Sequence, residues 1–88
     1  MGQTVRMSTV RYFAAAKEAA GAGTEDVDAG TLGAALEQVR GRHDARFTTV
    51  LARCSFVVDG DPVGGRAHDA VALRPDSVVD VLPPFAGG

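Results

Sequence analysis

Eighty-eight residues carry eleven acidic and nine basic side chains, a net charge of −2, with 45% hydrophobic and 23% charged residues. That length leaves room for one core and no separate catalytic domain, and the composition excludes a disordered chain. There is no basic stripe for nucleic acid, no apolar run near the ~20 residues of a membrane span, and no signal-like segment, which together predict a cytoplasmic protein.

In chain order, residues 4–12 alternate β-branched and polar side chains and predict a strand with Val10 and Tyr12 on one face and Arg11 on the other. The alanine-rich stretch 13–20 predicts a helix stopped by Gly21. Residues 25–28 read as a short acidic edge strand, whose charges discourage edge-to-edge pairing. Thr31 then stands as N-cap of a second helix, with Leu32, Ala35, Leu36 and Val39 as its apolar stripe and Gly41 near its end. Residues 42–49 read as a connector. From Phe47, Val50 and Leu51 the chain tucks into the core. Phe56-Val57-Val58, Asp59-Gly60 and Asp61-Pro62-Val63 predict a hairpin, since Asp-Gly suits a turn with positive φ. Residues 64–69 read as a loop, 71–73 as a turn or short strand, 74–77 as a turn, and 78–82 as the last strand. In that strand Asp80 and Leu82 share one face and Val79 and Val81 the other, so Leu82 is expected to point outward if the valines meet the helix. Short strands interleaved with a capped helix indicate an α+β sheet packed on one helical layer.

Groups for catalysis are scarce. His43 and His68 lie in polar stretches without a partner at metal-ligand spacing and read as solvated loop residues. CxxC, HExxH, GxSxG and phosphate-loop patterns are absent from the sequence. Asp59 and Asp61 supply too few oxygens for a hard metal and read as a solvated hairpin tip. Cys54, the only cysteine, forms no internal disulfide and reads as a small buried hydrophobe. What remains is the ending Pro83-Pro84-Phe85-Ala86-Gly87-Gly88. Two prolines favour an extended neck, and two glycines let a narrow backbone enter a channel. Six nearly extended residues reach on the order of 20 Å. The Gly88 carboxylate is anionic at neutral pH and a poor electrophile, so another protein must activate it before it accepts anything.

Three stretches carry a resemblance. Val10-Arg11-Tyr12-Phe13-Ala14 running to Lys17-Glu18 and Gly21, the hairpin Val57-Val58-Asp59-Gly60, and Asp80 through the Pro-Pro-x-x-Gly-Gly ending resemble the MoaD-type sulfur carriers of the MoaD/ThiS family, small subunits of molybdopterin synthase. The likeness spans about Met7 to Gly88, and residues 1–6 read as an extension. It implies a β-grasp, ubiquitin-like fold, a mixed sheet around one main helix, with residues 1–82 as the domain and 83–88 as its tail.

The resemblance also implies a cycle and its partners. No cofactor is bound by the carrier; ATP and Mg are used by an E1-like, MoeB-type adenylyltransferase that converts the Gly88 carboxylate to an acyl-adenylate. A sulfur donor protein then leaves a thiocarboxylate, and the sulfur passes to a pterin precursor in the large, MoaE-type subunit. The catalytic groups are expected on these partners, not on this chain. By the same resemblance Phe13, Pro62 and Leu82 contribute to an apolar patch that meets the large subunit, with Pro62 a departure in residue type. Pro83, Pro84, Phe85, Ala86 and Gly87 are the tail that enters the partner. Two alternatives stay open: a sulfur carrier for thiamin thiazole or cysteine synthesis, and a ubiquitin-like binding module or modifier whose Gly88 forms an amide with lysine.

Overall fold

A computed structural model describes residues 7–84. Strand β1 (Ser8–Tyr12) leads into helix α1 (Ala14–Ala20), and strand β2 (Thr24–Val27) follows. Helices α2 (Leu32–Arg42) and α3 (Ala45–Leu51) come next, then strands β3 (Ser55–Val58) and β4 (Asp61–Pro62), a 3₁₀ turn (His68–Ala70) and strand β5 (Val78–Leu82). The sheet order is β2-β1-β5-β3-β4. The first and last strands are central and parallel, Val10 beside Val79 and Tyr12 beside Val81, while every other pairing is antiparallel.

The period-2 pattern decides which side of the sheet is dry. Val10, Tyr12, Val27, Phe56, Val58, Val79 and Val81 point to one face and are buried there. Against that face α2 lays Leu32, Ala35, Leu36 and Val39, all fully buried, and α1 and α3 add Ala16, Phe47 and Leu51. Each large aliphatic side chain so buried is worth about 1.5–3 kcal/mol. Thr31 caps α2 as expected, accepting the Ala34 N–H at 3.1 Å. The result is the β-grasp, ubiquitin-like arrangement.

Gly41 lies near the end of α2, as expected: the helix continues one residue further, to Arg42, and stops at an extended His43. Two local readings are corrected. Much of the expected connector is α3, started by Asp44, whose carboxylate accepts the Phe47 N–H at 3.1 Å. His43 is not a solvated loop residue. Its side chain is 14% exposed, its Nε2 lies 2.8 Å from Glu25 Oε1, and its ring lies 4.4 Å from Phe47, centroid to centroid. The Tyr12 hydroxyl donates to the same Glu25 oxygen at 2.6 Å. Burial works against charge on Glu25, but the hydrogen bonds from Tyr12 and His43 outweigh it and hold the carboxyl below its usual range. The stretch 71–73 pairs with the segment entering α2 through an isolated bridge, Thr31 to Ala72, flanked by bonds from the Leu32 N–H to the Val71 carbonyl and from the Leu73 N–H to the Gly30 carbonyl, each 2.9 Å.

Candidate functional site

The chain leaves the sheet at the C-terminal end of β5, and there the surface changes character. Leu82, Pro83 and Pro84, with Phe13, Ala14, Ala15 and Ser55, line a groove of about 520 Å³. Phe13 is the exposed large hydrophobic side chain among the described residues, at 40%. Its position follows from the ladder: the Phe13 N–H reaches the Val81 carbonyl at 3.3 Å, which sets its side chain beside Leu82 on the outer face. Alternation makes this unavoidable, because Val79 and Val81 are wholly buried and Asp80 and Leu82 must then face outward. Leu82 is therefore where the sequence put it.

The register extends this face into a row. Thr24, Arg11, Asp80, Val57 and Pro62 are successive cross-strand partners from one edge of the sheet to the other. In the middle of the row Arg11 and Asp80 form a bidentate pair at 2.6 and 2.9 Å, and the guanidinium carbon sits 5.8 Å from the Phe13 ring centroid. Phe13 and Leu82 thus come together at the root of the tail. Pro62 shares their face but not their groove: it is exposed on the edge strand β4, with β3 between it and Leu82. It lines a second cavity of about 420 Å³ with Val57 and Cys54. Phe85, Ala86, Gly87 and Gly88 lie outside the described residues.

Sequence reasoning missed Ala14, Ala15 and Ser55 in the groove. A helix beginning one residue after an outward phenylalanine was the available signal for the first two. Ala14 also holds φ of +50°, a left-handed conformation that non-glycine residues seldom adopt. Asp59, expected to be a solvated hairpin tip, has a structural task. Its carboxylate accepts the Val78 N–H and the Ser77 hydroxyl, each at 2.8 Å, and these two bonds hold it below the usual carboxylate range. It ties the hairpin to the start of β5.

Apart from Tyr12 and His43 on Glu25, the remaining chemistry-bearing groups among the described residues do not converge. No cluster of three or more His, Cys, Asp or Glu residues suited to a metal occurs among the described residues, and no described helix is long and apolar enough to cross a membrane. Cys54 is half-buried, its thiol 3.3 Å from the Val50 carbonyl, and burial pushes its pKa up, away from a reactive thiolate. His68 packs edge-on to Phe56 at 5.3 Å. A groove of about 640 Å³ between α2 and the 3₁₀ turn is larger than the one at the tail root; of its charged lining residues Glu37 and Arg40 pair with each other at 3.3 Å, Arg66 pairs with Asp61 at 3.3 Å, and Asp69 is the fourth.

Comparison with known proteins agrees with this geometry. A search of curated proteins finds no match. Among solved structures, small archaeal modifier protein 1 of Haloferax volcanii superposes with a TM-score of 0.77 at 25% identity, covering 93% of this chain and 99% of its own. Molybdopterin converting factor subunit 1 of Pyrococcus furiosus gives 0.73 at 22% identity over 90% and 98%. The chain is also similar to a protein in the complex of subunits 1 and 2 of the molybdopterin-converting factor of Helicobacter pylori, with 0.67 at 22% over 93% and 99%. At these identities the last two speak to fold alone. Residues 10–88, nearly the whole sequence, match the ThiS family. The chain belongs to that family, whose members are small ubiquitin-like carrier proteins rather than catalysts.

Proposed function

We propose that this chain carries sulfur for molybdopterin synthesis on the carboxyl group of Gly88. The observation that carries the reading is the mainly apolar groove at the tail root, lined by Phe13, Ala14, Ala15, Ser55, Leu82, Pro83 and Pro84, two residues before the Gly-Gly ending. An apolar, partly exposed surface beside a reactive terminus is what a carrier needs to dock on proteins that perform the chemistry. The Helicobacter pylori structure, in which subunits 1 and 2 associate, supports a large, MoaE-type subunit as one such partner.

The chemistry starts from a carboxylate that is a poor electrophile at neutral pH. An E1-like, MoeB-type enzyme joins it to the α-phosphate of ATP, with Mg²⁺ and loss of pyrophosphate, making an acyl-adenylate. A persulfide on a donor protein attacks the acyl carbon, and AMP leaves. A thiol then takes the donor's sulfur as a disulfide and releases the thiocarboxylate. Within the synthase that sulfur passes to a pterin precursor. This chain's own residues orient and dock the tail; they move no proton in these steps.

Co-expression with the activating enzyme and donor tests the reading. Intact-mass spectrometry is expected to show one oxygen replaced by sulfur, localised to Gly88 by fragmentation. A terminus that stays a carboxylate while it is demonstrably adenylated overturns it. The likeness to small archaeal modifier protein 1 favours a second reading, a modifier joined by Gly88 to lysine. Amide-linked adducts of higher mass, in place of a free thiocarboxylate, would establish that one. Transfer of sulfur to a thiazole or cysteine precursor in the reconstituted system, and not to a pterin, would redirect the pathway but keep the carrier.

A further inference from the structure

A five-stranded open sheet has two edges, and an open edge is a template for pairing with another strand. In this fold they are β2 and β4. Strand β4 is only two residues long, and its Pro62 has no N–H to offer. Strand β2 has four residues. Its register with β1, together with the Tyr12 N–H bonded to the Gly23 carbonyl, turns the backbone groups of Glu25 and Val27 inward and those of Thr24, Asp26 and Asp28 outward.

Three of these six outward groups, those at the C-terminal half of the edge, are already occupied. Gln38 lies alongside Asp28, its Oε1 accepting the Asp28 N–H at 3.2 Å and its Nε2 donating to the Asp28 carbonyl. One turn later on α2, Arg42 Nη1 donates to the Asp26 carbonyl at 2.8 Å. A glutamine side-chain amide presents the same donor and acceptor as a peptide group, so Gln38 takes the place that one residue of an added strand would take. Spacing i, i+4 puts both side chains on one line of the helix, over the edge. Neither residue is part of the apolar stripe, and neither lines the groove at the tail root. Asp26 and Asp28 are themselves exposed and would repel a second copy of the same edge.

We propose that Gln38 and Arg42 are a built-in cap that closes the β2 edge to strand addition by a second copy of this chain. With that cap, and with β4 blunted by Pro62, the chain presents its outer sheet face and tail root to partners and keeps its edges out of association. The proposal stands on the edge hydrogen bonds and does not depend on what the tail carries.

The test is sedimentation of the full chain with Gln38→Ala and Arg42→Ala combined, at up to millimolar protein in low and high salt. The expected result is native circular dichroism with self-association at least about tenfold tighter than wild type, increasing with salt as repulsion between Asp26 and Asp28 is screened. The added Asp26→Pro substitution should reverse the association, because proline removes the outward Asp26 N–H to which an added strand would bond. A folded double variant that stays as monomeric as wild type in high salt overturns the proposal, including the case in which its melting temperature falls. Should the double variant not fold, the single variants decide: each is expected to associate more than wild type, and association by neither overturns it.

Discussion

At its first residue β5 is tied down by polar groups, and at its last it runs out against apolar side chains with no side-chain hydrogen bond there among the described residues. Val78 donates its N–H to Asp59, and its carbonyl accepts the Asp59 N–H at 2.9 Å. Ser77, just before it, donates to Asp59, accepts the Arg74 N–H, and gives its carbonyl to Thr9. Four residues later Leu82, Pro83 and Pro84 lie half-exposed or exposed beside Phe13. Hydrogen bonds between Asp59 and its partners fix register, so every later residue of β5 takes a determined face. The apolar end then has its orientation assigned without needing polar anchors of its own. One strand thus separates folding instructions at its start from a docking surface at its finish.

The largest expected effect contrasts two adjacent residues. Val81→Ala removes two methyl groups from a fully buried site and should lower stability by about 2–3 kcal/mol, read by denaturant unfolding. Leu82→Asp, one residue on and facing outward, should change stability by less than about 0.5 kcal/mol. It should nonetheless weaken binding of a large-subunit partner at least about tenfold in calorimetry, because it places a charge in an apolar contact. Equal losses of stability at the two positions would mean that the faces of β5 are not separated as described.

A smaller effect is expected at the polar end. Asp59→Ala leaves the Val78 N–H without its partner and places a residue with no side-chain hydrogen bond at φ of +51°. The expected loss is about 1–2 kcal/mol, with partner affinity per folded molecule unchanged. Acidification reads the same contact. The folded-state pKa of Asp59 is depressed, so its contribution is complete above the ordinary aspartate value of about 3.9 and disappears as pH falls through the lower folded value. Glu25, also held low, acts in the same acid window. Asp59→Asn keeps an acceptor for Val78 but no longer titrates. Its unfolding free energy should therefore fall less steeply below pH 4 than that of wild type, with the remaining slope owed in part to Glu25. Parallel acid profiles would show that Asp59 is not a lock.

These contrasts also explain what a reader of the chain can and cannot see. The faces of β1 and β5 and the stripe of α2 were legible because their partners are all apolar, so any partner will do and period alone decides. The hairpin was legible from Asp59-Gly60 because turn chemistry is local. The tasks of Asp59 and His43 were hidden for the opposite reason. Their partners Val78 and Glu25 are 19 and 18 residues away, and a polar group's role depends on which particular atom it meets. Helix α3 was hidden by length: seven residues with two central threonines give a weak propensity, and the N-cap Asp44 becomes a signal only once Phe47, Val50 and Leu51 are known to share a buried side. In the groove, Phe13 and Leu82 were visible as residues, but not the alanines that complete its floor.

The smallest expected effect is the sharpest probe of the two ends, because both contain a non-glycine residue in the left-handed region, Ala14 at +50° and Asp59 at +51°. That conformation costs a residue with a Cβ roughly 1–2 kcal/mol, while glycine gives back about 0.5–1 kcal/mol through the greater freedom of the unfolded chain. Ala14 has no side-chain hydrogen bond to lose, so Ala14→Gly should be neutral or stabilising by at most about 1 kcal/mol. Asp59→Gly relieves the same backbone but forfeits the bonds to Val78 and Ser77, so it should be destabilising by about 1 kcal/mol. Opposite signs for one substitution type at matched φ, measured by thermal unfolding, would locate the lock in the carboxylate. If both variants shift the same way, the backbone turn itself holds β5 in register, and the polar end is no more specified by its side chains than the apolar one.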